Sequence, residues 1–215
     1  MIEFIALVGA VVSASISVPQ FLLVLRTKST KGLSMTPWVI SIGTGIGWIC
    51  HGLRVGEINL AWPSMWGLVV SATLLYYLRR NGHYHSLTKL LPGFALAALL
   101  VALDNGLGSV AFGLAVIWPS VYGMMRQGIA LMRSPDVTGV SVGAWVLQVL
   151  NQAMWLYWAI CVHEMGTIIS GAVCLGPAIF VLTWRLIRAN GAGPAIARQQ
   201  VAELTEQPED MALAS

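Results

Sequence analysis

The chain has 215 residues, of which 57% are apolar and only 10% charged, with a formal net charge of +3. Soluble domains carry about 25% charged residues, and a mean hydropathy of +0.75 leaves too little polar surface to face water. A soluble enzyme, a DNA-binding domain and a disordered tail protein are thereby excluded as readings of the whole chain, which points to an all-α, multi-pass membrane protein.

Charged side chains act as fences, since an ionised group in hydrocarbon costs at least ~2.5 kcal/mol. In chain order the uncharged stretches are 4–25, 32–53, 58–78, 90–103, 105–125, 137–163 and 165–184. A spanning helix needs about 20 residues. Six stretches meet that length, and 90–103 meets it if its helix starts near Leu87 and Asp104 sits at an interface. The prediction is seven transmembrane helices. The segments are continuously apolar rather than alternating, which disfavours a β-barrel. Glu3 and the lack of a basic N-terminal region argue against a cleaved signal peptide.

The N-terminus and the loops at 54–59, 104–110 and 163–166 would share one side, where Arg54 is accompanied by Glu3, Glu57, Asp104 and Glu164. The opposite side holds ten Lys/Arg, among them Arg26, Lys28, Lys31, Arg79, Arg80 and Arg133. The positive-inside bias then places the N-terminus outside the cell membrane and the C-terminus in the cytoplasm. Residues 189–215 switch to Gly, Pro, Gln and acidic residues and read as a cytoplasmic tail, with a short helix possible over 195–205.

The chain also repeats itself at an offset of 107. Gln20 matches Gln127, Arg26 Arg133, Gly32 Gly139, Ser34 Ser141, Trp38 Trp145, Val39 Val146, Trp48 Trp155, Val55 Val162 and Glu57 Glu164. Three helices fall in each copy, and the basic loop follows the first helix in both. One linker helix between the copies restores that shared orientation. The expected layout is 3+1+3, with parallel repeats about an axis along the membrane normal: residues 1–80, a loop and linker helix over 81–104, a second repeat over 105–188, and the tail.

Trp48, Thr44 and Ser41 recur at helical spacing on one face of the second helix, and Trp155, Asn151 and Gln148 hold the same places on the sixth. Buried amides in hydrocarbon require partners or water. Two such faces meeting across a pseudo-two-fold axis would enclose a polar cavity, in which flat indoles and hydrogen-bonding amides suit a sugar. Trp48 lies about ten residues, or ~15 Å, beyond Trp38, too deep for the cytoplasmic belt. Trp38, Trp62, Trp66, Trp118, Trp145 and Trp184 lie near segment ends and read mostly as belt residues.

The first repeat carries Pro19-Gln20, Arg26-Thr27-Lys28-Ser29, Gly32-Leu33-Ser34 and Trp38, then Trp48 with Gly52. These residues resemble the PQ-loop family, and residues 1–187 resemble the SWEET and SemiSWEET sugar transporters, which share the 3+1+3 plan. The second repeat follows more loosely, with Gln127, Arg133, Gly139-Val140-Ser141 and Trp155. The resemblance implies an alternating-access carrier of a small polar solute, a sugar favoured, working by facilitated diffusion. It implies solute contacts from Trp48 and Trp155, and from Ser64 and Gly171, which stand where the family usually has Asn. It also implies hinge prolines at Pro19 and Pro37, beside Gln20. The corresponding second-repeat positions are Arg126, beside Gln127, and Ala144.

Arg126, two turns before Arg133, either snorkels to the cytoplasmic surface or faces the pathway, where it would favour an anion. Glu57 and Glu164 read as solvated loop charges, and Cys50, Cys161 and Cys174 as small packing residues. The sequence has no HExxH motif, no Cys/His metal set, no Walker motif and no plausible catalytic triad. Neither a cofactor nor a metal is expected, nor an enzyme, nor a nucleic-acid partner. The expected partners are a small solute, the lipid bilayer and, as an option, further copies of the chain. The rival expectations are a carrier of amino acids or organic anions, and a non-transporting sorting receptor of the KDEL-receptor type.

Overall fold

The computed structural model describes residues 1–30, 33–133 and 142–189. Lys31, Gly32, Gly139 to Ser141, the tail from 190 and the helix expected over 195–205 lie outside the described residues.

Seven helices account for most of what is described: α1 (Ile2–Thr27), α2 (Thr36–Arg54), α3 (Ile58–Arg80), α4 (Leu91–Leu107), α5 (Ser109–Arg133), α6 (Val142–Val162) and α7 (Met165–Ala189). A 3₁₀ turn over Leu87–Leu90 leads into α4, so this segment begins where the sequence places it. α4 runs past Asp104 rather than ending at it, because Asp104 is buried and paired, as described below. For the same reason α5 starts at Ser109 and not at 105.

Five helical segments are long and apolar enough to cross a membrane: α1, α3, Leu87–Leu107, α6 and α7. The short fourth stretch therefore qualifies, whereas α2 and α5, expected to qualify from their uncharged lengths, do not. Hydropathy charges a helix for every polar residue, wherever that residue points. α2 carries Ser41, Thr44 and His51, and α5 carries Ser120, Arg126 and Gln127.

The exterior is apolar. Leu7, Val11, Leu99, Leu114, Tyr157 and Ile160 are all exposed, and Trp118 is 76% exposed. In contrast, His51, Ser71, Asp104 and Ser170 are buried. Lipid, not water, matches an arrangement with apolar groups outside and polar groups within.

α3 packs against both α1 and α2, and α7 packs against both α5 and α6. The two groups meet where α1 touches α6 and where α2 touches α5, and α4 bridges α2 and α5. Under the 107-residue offset α1 corresponds to α5 and α2 to α6, so these two contacts are the same contact made twice. The α2–α4 crossing depends on glycine. A Cβ on Gly43 would lie 2.6 Å from the carbonyl oxygen of Gly93, closer than any side chain could be accommodated.

The turns after α2 and α6 also repeat. Gly56 (φ 79°) and His163 (φ 58°) are related by the offset and both adopt the left-handed conformation. Glu57 N–H bonds Gly52 O (2.7 Å), and Glu164 N–H bonds Ala159 O (3.0 Å), closing both helices in the same way. Glycine adopts this φ freely; histidine holds it at a cost.

The proline positions differ in what they can do. Pro19, Pro63, Pro119 and Pro177 lie inside helices. Pro37 stands in the first turn of α2, where its missing N–H has no helical carbonyl to lose, so it starts that helix rather than bending it. Nor do the terminal tryptophans all face lipid. Trp66 packs edge-on against Phe21 at 5.2 Å and donates to Ala14 O (3.2 Å), and Trp38 and Trp145 join buried clusters.

Candidate functional site: a cavity between the two helix groups

A cavity of about 330 Å³ lies between the two groups of helices, at the low end of the ~300–1,000 Å³ typical of small-molecule sites. Trp48, Thr44, Ser64, Asn151, Trp155 and Gly171 all line it. Gln148, expected among them, does not, and Gln152 one turn further along α6 does. The two amides share a helix face, but the cavity meets α6 only at 151–155.

The 107-residue offset runs through the lining. Ser13 faces the cavity as Ser120 does, Thr44 as Asn151, Gly45 as Gln152, and Trp48 as Trp155. On α3 and α7 the pairs are Leu60 with Thr167, Pro63 with Ser170, Ser64 with Gly171, and Gly67 with Cys174. Sequence identity reveals the repeat only over 20–57. The lining extends it to positions where the residues have diverged.

Each indole is fixed by its neighbours. Trp155 is buried and its Nε1 donates to Ser13 Oγ (2.9 Å). Ser13 in turn donates to Asn151 Oδ1 (2.6 Å), so α1 and α6 are tied together at the cavity wall. Gly9 packs against the same ring: a Cβ there would meet Trp155 at 3.6 Å, an ordinary van der Waals contact. Trp155 packs edge-on against Trp158 at 5.6 Å, and Trp48 edge-on against Phe112 at 5.0 Å.

Most lining hydroxyls have already used their protons. Ser17 donates to Ala14 O (3.1 Å), Thr44 to Ile40 O (3.1 Å), Ser120 to Val116 O (3.2 Å), Ser170 to Thr167 O (3.3 Å) and Ser64 to Leu60 O (3.5 Å). Such back-bonding satisfies the hydroxyl within its own helix and leaves oxygen lone pairs toward the cavity. The N–H groups without a protein acceptor among the described residues are those of Trp48 Nε1, Asn151 Nδ2 and Gln152 Nε2. Among the described residues, no Asp, Glu, Lys, Arg or His lines the cavity.

Beside the cavity, three residues beyond Trp48, is a buried charge cluster that the sequence did not announce. His51 is fully buried, with Nδ1 3.0 Å from Asp104 Oδ1 and Nε2 3.3 Å from Glu164 Oε1. Arg54 donates to both oxygens of Asp104, Nε to Oδ2 (2.8 Å) and Nη2 to Oδ1 (2.5 Å), and its Nη2 also reaches Ser109 Oγ (3.0 Å). Phe112 stacks on the imidazole at 4.2 Å. α2, α4, the start of α5 and the α6–α7 turn are thus joined through one histidine and one arginine.

Glu164 is therefore not a solvated loop charge. It is 8% exposed. Its Oε1 accepts from Gly166 N–H (3.0 Å) and its Oε2 from Thr167 N–H (2.6 Å), which caps α7. Burial opposes its ionisation, but His51 and the Thr167 backbone N–H outweigh it and hold the carboxyl down to about 2. Its repeat mate diverges. Glu57 makes no cap, and burial, with Glu3 nearby, pushes its carboxyl upward. The residue related to His51 by the offset is Trp158, which sits in an apolar cluster.

The expected hinge and gate residues lie away from the cavity. Pro19 and Gln20 sit in α1 beyond Ser17, and Gln127 and Arg126 sit in α5 beyond Ser120. Arg126 is exposed, with its guanidinium 5.9 Å from the centre of the Tyr122 ring. No group of three or more His, Cys, Asp or Glu side chains placed to hold a metal ion occurs among the described residues. Comparison with protein-family models and with curated proteins finds no match to this chain.

Proposed function

We propose that this chain is a membrane carrier for a small, neutral, hydroxyl-rich solute, a sugar favoured, working by alternating access without ion coupling. In this reading all seven helices span the bilayer in a 3+1+3 layout, with the N-terminus outside and the C-terminus cytoplasmic, as in the SWEET and SemiSWEET transporters that its sequence resembles. α2 and α5 cross the membrane despite their polarity: Ser41, Thr44 and Ser120 face the cavity, and His51, Arg54 and Ser109 belong to the charge cluster.

The observation that carries the proposal is the lining of the cavity. It sits between repeat-related walls, contains two indoles, and combines oxygen acceptors with a few free N–H donors and, among the described residues, no Asp, Glu, Lys, Arg or His. A sugar presents both donors and acceptors and has C–H faces that pack on aromatic rings. An organic ion or an amino acid would leave its charges unpaired there, at a cost of several kcal/mol. Arg126, the residue that would favour an anion, lies outside the lining.

Alternating access also needs an end that closes. The pairs of His51 with Glu164 and of Arg54 with Ser109 cross between the two helix groups, so opening there requires both to separate. Solute binding shifts the balance between the two closed ends, and the gradient sets the direction of net flow.

The test is counterflow of labelled sugars, amino acids and organic anions in liposomes containing the purified chain. Sugar flux is expected, with Trp48→Ala and Trp155→Ala reducing it to background while the protein keeps its elution volume and helical content. Background flux for every solute at several pH values would refute the carrier.

A further inference from the structure

The two repeat-related walls of the cavity are not chemically alike. On α6 the lining includes the adjacent amides Asn151 and Gln152. The positions that correspond to them on α2 hold Thr44, whose proton is spent on Ile40 O, and Gly45. On α3 the lining is Leu60, Pro63, Ser64 and Gly67, of which only Ser64 is polar, and its proton faces its own helix.

From this asymmetry we infer that the solute is recognised from one side: its hydroxyl edge lies on Asn151 and Gln152, and an apolar edge lies on Leu60 and Pro63 of α3. The inference rests on the carrier reading above and narrows its substrate class to neutral sugars that lack a hydroxyl on one edge, the deoxy sugars and their alkyl ethers. The physical reason is the cost of a stranded polar group. A hydroxyl pressed on Leu60 and Pro63 gives up its water and gains no partner, whereas a hydrogen there loses nothing. Gln152 is the specificity determinant, because its amide has no partner among the described residues and so offers both donor and acceptor to the solute.

Gly67 gives a way to weaken the preference without disturbing the fold. It lies on the apolar wall, and a Cβ added there meets nothing within 4 Å. Gly67→Ser therefore places a hydroxyl on that wall in open space.

The experiment is competition by D-glucose and each of its monodeoxy analogues against labelled D-glucose counterflow in liposomes. At least one analogue is expected to compete about fivefold or more better than glucose, the size expected for removing one stranded hydroxyl. Gly67→Ser should shrink that advantage. Gln152→Leu should weaken glucose about 2–10-fold through its half-saturation concentration while leaving the maximal rate near that of the wild type. If glucose is carried, but every monodeoxy analogue competes less well and Gln152→Leu changes nothing, one-sided recognition is overturned and the carrier stands. If no sugar is carried at all, the carrier reading itself falls.

Discussion

Glu164→Gln tests whether the charge at the α6–α7 turn organises that end of the molecule. The wild-type carboxylate accepts from Gly166 N–H and Thr167 N–H and faces His51 Nε2 at 3.3 Å. Glutamine keeps one acceptor oxygen, so one cap bond and the contact with His51 are lost. The carboxyl is held down from an ordinary value of 4.5 to about 2. A shift of that size corresponds to about 3 kcal/mol of folding free energy at neutral pH, an order-of-magnitude figure. Because the folded-state value is the lower one, this stabilisation is complete above pH 4.5 and is lost as pH falls from 4.5 toward 2. In thermal unfolding of the detergent-purified protein, the variant should melt about 6–12 °C below wild type at pH 7. The two midpoints should draw together as the pH is lowered to 3. Equal midpoints at pH 7, or a gap unchanged between pH 7 and pH 3, would refute the argument.

Asp104→Asn should destabilise by about 3 kcal/mol in the same assay, since it leaves buried His51 and its partner Arg54 without their shared acceptor charge. Arg54→Ala should cost less, because Asp104 keeps His51 and Arg54 is already 35% exposed. Gly43→Ala should cost about 1–3 kcal/mol by forcing α2 away from the Gly93 carbonyl. Gly67→Ala, where a Cβ meets nothing, should instead stabilise by up to about 1 kcal/mol through helix propensity. If both alanine variants melt alike, the α2–α4 crossing is not the close contact described.

Charge spacing was enough to find the helices. Ionised groups cannot remain in hydrocarbon, so Arg26, Arg54, Glu57 and Arg79 mark helix ends within a few residues, and even the short fourth segment begins at Leu87. Identity at a fixed offset likewise exposed the repeat, because duplicated turns keep similar backbones: Gly56 and His163 share a left-handed φ despite their different side chains. Helical periodicity put Thr44 with Trp48 and Asn151 with Trp155, and those four do line one cavity.

Periodicity fixes the face of a helix but not how far along that face a cavity extends. For that reason Gln148 and Gln152, one turn apart on the same face, could not be told apart until α1 and α6 were packed through Ser13, Asn151 and Trp155. Asp104 reads as an interfacial charge and Glu164 as a solvated loop charge because their partners are distant in sequence: His51 and Arg54 reach Asp104 from 53 and 50 residues away. The sequence by itself determined where the helices end and which residues recur at the 107-residue offset. Tertiary structure alone decided which polar groups are paired, because the energy of a buried charge depends on the neighbour that packing brings within 3 Å, and linear spacing does not encode that neighbour.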